Sequence, residues 1–130
     1  MKTGLRNEKG FTLIEIITVL VILGILAAVA VPRYLDMMDQ SRIAAAQSAI
    51  AELKSRASAD YAKLLLSGNG VDPGGAAVLS ALNSNLDVGS DFSGISAAGD
   101  GSNIDLTITT VKGSTLSTSV TGTWYYPLQS

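Results

Sequence analysis

The chain has no cysteine and no histidine among its 130 residues. Without them there can be no disulfide framework, no haem ligated by histidine, no zinc site of the usual kinds, and no catalysis through Cys or His. Charge is also scarce, at 15% of residues against a usual quarter. Disorder driven by charge is therefore not expected. Basic and acidic residues number 9 and 11, a net of −2, so no bulk basic field exists to hold nucleic acid. An enzyme would have to work with carboxylates, Ser/Thr, Lys and Tyr. No constellation of nucleophile and base is visible among them, and the chain is read as a non-enzyme. At this length one domain is expected.

The apolar residues are concentrated at one end. Between Lys9 and Arg33 lie 23 residues with a single charge, Glu15. With Phe11 to Ile14, the uncharged run Ile16 to Val31 approaches the roughly 20 residues that span a bilayer core. Lys2, Arg6 and Lys9 against Glu8 make the preceding stretch net positive. Such a flank stays cytoplasmic, which places the remainder across the membrane. One reading is a secretory signal cut after Ala28-Val29-Ala30, releasing a soluble binding domain. The other keeps the apolar segment and removes only the polar leader. Glu15 favours the second, since a carboxylate within the apolar run costs about 2.5–3.5 kcal/mol and a disposable signal has no use for it.

The junction Lys9-Gly10-Phe11-Thr12-Leu13-Ile14-Glu15 closely resembles the type IV pilin family, including the pseudopilins of type II secretion. The resemblance extends to about Arg42 and takes in Gly24-Ile25-Leu26-Ala27-Ala28-Val29-Ala30-Val31-Pro32. It implies a leader, residues 1–10, cut after Gly10 by a prepilin peptidase that also methylates the new amine of Phe11. The mature chain would carry 6 basic and 10 acidic side chains, net −4. It further implies that Glu15 of one subunit meets the Phe11 amine of another during assembly. A buried polar group that fixes register at a cost in stability is the best-attested use of such a charge. Gly24 and Pro32 are helix breakers, Pro32 by about 3 kcal/mol. They read either as a modest kink or, following the family, as the ends of a stretch that melts to extended chain in the filament. Thr12 and Thr18 read as hydroxyls returned to their own helix carbonyls.

Downstream, Ile43, Ala46, Ile50, Leu53, Ala57, Tyr61 and Leu64 fall at helical steps of three and four. They make one stripe of an amphipathic helix. The expected organisation is α+β: one helix from Phe11 to Leu66, with membrane or filament-core half 11–32 and amphipathic half 33–66, then a small head, 67–130. Ser67-Gly68-Asn69-Gly70 reads as the helix stop, and Ala76 to about Asn83 as a short helix. Asp87 to Asn103 reads as a Gly/Ser/Asp-rich loop. Ile104 to Thr109, Leu116 to Thr121 and Thr123 to Tyr126 read as strands, with Gly122 a bulge or break. Such a head is too small to bury a core alone and needs the helix stripe to complete it.

Asp87, Asp91, Asp100, Asn103 and Asp105 present oxygen atoms in or beside this loop. Two readings stand: plain turn residues, the commoner role, or a calcium site of the kind known in major pseudopilins, though the spacing is not that of an EF-hand. No other cofactor is indicated. Trp124, Tyr125 and Tyr126 read as core and edge residues. Many pilins tie down their C-terminal loop with a disulfide, which this chain cannot form.

The resemblance implies a homo-oligomeric helical filament. It implies a single-pass inner-membrane precursor with its head in the periplasm, held by lipid and handed to an inner-membrane assembly platform. The product is a cell-surface pilus or, alternatively, a periplasmic pseudopilus for secretion.

Overall fold

A computed structural model describes residues 10–127. The expected leader, apart from Gly10, lies outside the described residues. Two helices and three strands follow in the order α1 (Leu13–Ser67), α2 (Gly75–Asn83), β1 (Phe92–Gly99), β2 (Asn103–Val111) and β3 (Ser114–Tyr125). This is the expected α+β arrangement. The chain divides into two compact units, the first ending at Met37 and the second beginning at Met38.

The first unit is the apolar part of α1. Its large side chains, from Phe11 to Met37, are all exposed within the described residues. The second unit carries the core. Ala46, Ala49, Ile50, Leu53 and Ala57 come from α1, Val78 and Leu82 from α2, and Ile104, Leu106, Ile108, Val111, Leu116 and Trp124 from the sheet. Ile43, Tyr61 and Leu64 pack at its margin. The 3/4 stripe is the buried face of the helix, and it shares one core with α2 and the sheet.

Helix α1 ends in a hydrogen-bonded reversal. Gly70 N–H donates to Leu65 O at 2.8 Å, and Asn69 N–H to Leu66 O at 3.3 Å. Asn69 supplies the left-handed residue, with φ of 54°. These are the paired bonds of a Schellman stop.

The sheet is antiparallel in the order β1-β2-β3. Ile104, Leu106 and Ile108 face the core while Asp105, Thr107 and Thr109 face out, as their alternation requires. Lys112 and Gly113, both at positive φ, form the two-residue turn into β3. Two expectations need correcting. The stretch read as a loop contains strand β1, a run poor in β-branched residues that is held by pairing with β2. The two C-terminal strands are one strand, and Gly122 is no break: it pairs in register with Leu106. The irregularity lies between Ile108 and Thr110.

Gly122 has a packing reason instead. A Cβ there would stand 2.4 Å from Ile50 Cγ2 and 2.9 Å from Lys54 Cε. Lys54 is a flexible side chain that can give way, while the stiff, β-branched Ile50 must shift to make room. Gly75 is more demanding, because its added Cβ would meet the backbone oxygen of Gly101 head-on. Gly75→Ala should therefore destabilise the head by about 1–3 kcal/mol, more than Gly122→Ala. Urea unfolding of the detergent-solubilised chain, followed by its single tryptophan, measures the difference.

Candidate functional site

The residues expected to serve cleavage and assembly stand at the start of α1. Gly10 and Phe11 precede the helix, and Phe11 is 84% exposed. Thr12 and Glu15 close on each other. The Thr12 N–H donates to Glu15 Oε2 at 3.2 Å, and the Glu15 N–H donates to Thr12 Oγ1 at 3.3 Å. This is a capping box: a threonine three residues ahead of a glutamate, each satisfying the other's orphan N–H. Thr12 therefore does not return its hydroxyl to a helix carbonyl as expected. Thr18 does, donating to Ile14 O at 2.7 Å. The box was legible as Thr-x-x-Glu ahead of an apolar run.

Its chemistry bears on the junction. The Glu15 carboxylate accepts from the residue that follows Phe11. Cutting after Gly10 would create an amine one residue away from an N–H that Glu15 already holds. The same carboxylate thus starts its own helix and would stand beside that new terminus.

Helix α1 runs unbroken through Gly24 and Pro32. Among the described residues no heavy atom comes within 4 Å of a Cβ added at Gly24, so no packing among them requires glycine there. α1 is also the one described helix long and apolar enough to cross a membrane.

The five candidate oxygen ligands are dispersed over separate tasks. Asp87 Oδ1 accepts from Gly89 N–H at 2.8 Å. Asp91 lies 4.0 Å from the Lys112 ammonium. Asp100 Oδ1 accepts from Ser102 and Asn103 N–H, and these two bonds hold its carboxyl below the usual range. Asn103 opens β2 opposite Tyr125, while Asp105 accepts the Thr123 hydroxyl at 2.7 Å. Among the described residues, no three acidic side chains gather as a metal site would need.

The C-terminal end of the head is fastened without a disulfide. Tyr61, Trp124 and Tyr126 pack ring against ring, with centroids 5.4–6.5 Å apart. Trp124 Nε1 donates to Ser58 Oγ at 2.9 Å. The Tyr126 hydroxyl accepts from Gly74 N–H at 3.0 Å and donates to Asp72. Tyr125 points away and is 72% exposed. A further clasp had no signal in the sequence. The Arg56 guanidinium donates to the carbonyls of Asp87 at 2.6 Å and Asn85 at 3.3 Å, fixing the α2–β1 connection to α1.

Comparison with known proteins falls on the same N-terminal segment. The family described as the Prokaryotic N-terminal methylation motif matches residues 5–31. In this segment the chain is similar to type IV pilus subunits and to a type II secretion core protein. A fimbrial protein of Pseudomonas aeruginosa is 43% identical over 53 residues, 41% of this chain and 34% of the relative. The type IV narrow pilus major component PilA5 of Thermus thermophilus is 49% identical over 49 residues, 38% of this chain and 42% of the relative. The type II secretion system core protein G of Pseudomonas aeruginosa is 51% identical over 45 residues, 35% of this chain and 32% of the relative. The chain spans about a third to two fifths of the length of these three relatives. No solved structure matches it.

Proposed function

We propose that the chain is the structural subunit of a type IV pilus, made as a membrane-held precursor and polymerised through its N-terminal helix. The observation that carries this reading is the Gly10-Phe11 junction opening directly into an apolar, uncovered helix. A peptidase cuts after Gly10 and methylates the Phe11 amine. The first part of α1 then rests in inner-membrane lipid with the head in the periplasm, until an assembly platform passes the subunit into the filament. There apolar side chains that have no partner in one chain find partners on neighbours. The role is architectural rather than enzymatic.

In the filament, Glu15 exchanges its own Thr12 for the Phe11 amine of a neighbour. The stretch from Gly24 to Pro32 stays helical in lipid, where every backbone group must be satisfied internally. It extends once packed neighbours offer other partners. A periplasmic secretion pseudopilus is the second reading, favoured by the identity to core protein G over the same segment.

The test is an intact mass of the protein recovered from membranes or filaments. The expected chain starts at Phe11 with a methylated amine. A chain starting at Val31 would mean a cleaved secretory signal and would end the filament reading.

A further inference from the structure

The ion pairs along α1 follow one rule, and one charged couple departs from it. Asp39 pairs with Arg42 at 3.3 Å, Glu52 with Arg56 at 2.5 Å, and Asp60 with Lys63 at 3.6 Å. In each the acid comes first, three or four positions ahead of the base, which is the favourable order on a helix. Arg33 and Asp36 stand three positions apart in the opposite order, and both are exposed. Among the described residues neither has an ion-pair partner. Both belong to the first compact unit, whose apolar surface does not stop at Arg33. Tyr34, Leu35 and Met37 are exposed around the couple, in continuity with the uncovered run from Phe11 to Val31. A neighbour that covers this surface as far as Met37 takes Arg33 and Asp36 out of water with it. A charge buried without a partner is strongly unfavourable, so each needs an opposite charge within the contact.

We infer that Asp36 of one copy pairs with Arg33 of the next, as a second charge clasp at the far end of the apolar segment. This rests on the filament reading. Axial register selects the pairing. A helical operation shifts every residue of a copy by the same distance along the filament axis. Bringing a neighbour's Phe11 amine level with Glu15 takes a shift of four positions, roughly 6 Å for a helix lying along that axis. Bringing the same neighbour's Arg33 level with Asp36 takes three positions, about 4.5 Å. The two shifts have the same sense, and the difference of about 1.5 Å is less than an arginine side chain can reach across. Extension between Gly24 and Pro32 leaves this agreement intact, because every copy extends alike and neither couple includes that stretch. Other partners do not fit. Asp39 is held by Arg42 of its own chain. Lys54, the other cation of α1 without an ion pair among the described residues, stands against Gly122 of the sheet. It lies about 27 Å along the helix from Asp36, far out of register.

Two charge reversals test the clasp by complementation. Arg33→Glu leaves the contact with two anions, and Asp36→Lys leaves it with two cations. Each full-length variant, expressed alone in a piliated host, should accumulate normally in the membrane and lower the yield of sheared filaments at least about tenfold. Expressed together, the two should restore yield to within about twofold of the parent, with both masses in the same filaments. In the mixture, contacts between unlike copies set opposite charges against each other. Within either chain the two positions still carry like charges, so an interaction confined to one copy cannot be rescued this way.

Parent-like yield from either single reversal would overturn the clasp and leave the filament reading intact. Low yield that co-expression does not restore would overturn it as well, and would point to lipid headgroups as the partner of Arg33. Absence of filaments from the unmutated chain would overturn both readings. An independent check needs no reversed charge. Arg33→Gln and Asp36→Asn should each lower yield more than the two combined in one chain, because the double variant buries no unpaired charge. A double variant poorer than either single one would contradict the pairing.

Discussion

Glu15→Ala and Glu15→Gln should both lower filament yield at least tenfold while the protein accumulates normally in the membrane. Two roles meet in this side chain, and the pair of variants separates them. Alanine removes both the cap on Thr12 and the charge. Glutamine retains the capping geometry, since Gln serves in a capping box as Glu does, and removes only the charge. If pairing with a neighbour's amine drives assembly, the two variants are equally defective. The unpaired amine then faces a cost of several kcal/mol in a low-dielectric filament core. Wild-type yield from the glutamine variant, measured by quantifying sheared filaments, would mean that starting the helix is what matters and that the charge is dispensable.

Leu53→Ala should cost the head about 2–5 kcal/mol, which for a domain of this size shifts its melting temperature by on the order of 10 °C or more. Leu53 is 0% exposed and lies at the centre of the α1 stripe, within the core that α2 and the sheet share. Truncation leaves a cavity among these side chains that relaxation fills only in part. Ser55→Ala, two residues along and exposed, should change stability by less than about 0.5 kcal/mol as a surface substitution. Thermal unfolding followed by Trp124 fluorescence compares the two. Equal stability of Leu53→Ala and the parent would show that the head does not depend on the helix for its core.

The helical part of this fold was legible because its signals are local. The 3/4 spacing from Ile43 to Leu64 describes a face wherever the chain goes, and Gly68-Asn69-Gly70 stops a helix on its own. Alternation from Ile104 to Thr109 fixes a strand in the same way. Strand β1 was not legible. Phe92-Ser93-Gly94-Ile95-Ser96-Ala97-Ala98-Gly99 has the composition of a loop, and its extended form comes from the ladder to β2. The same holds for Gly122, where glycine signals a close approach of β3 to α1 rather than an interruption. Arg56 reaches carbonyls some 30 positions away, which no spacing rule anticipates. The disulfide's absence suggested an unfastened C-terminal end. The aromatic trio of Tyr61, Trp124 and Tyr126, with Asp72 on the tyrosine hydroxyl, supplies the fastening from three separate parts of the chain.

At the N-terminus the balance is reversed. Gly10, Phe11 and Glu15 were evident from the motif, but an isolated chain gives them only part of their setting. Glu15 has its own Thr12 as partner, and Gly24 has no neighbour that needs it. Both residues make fuller sense in a polymer than in one copy.

The claim that this chain is a filament subunit is tested most directly by electron microscopy of material sheared from the cell surface, with mass spectrometry of its main protein band. The account predicts thin filaments whose main band is this chain beginning at a methylated Phe11. Filaments made of another protein, or this chain recovered only as a soluble product, would contradict it.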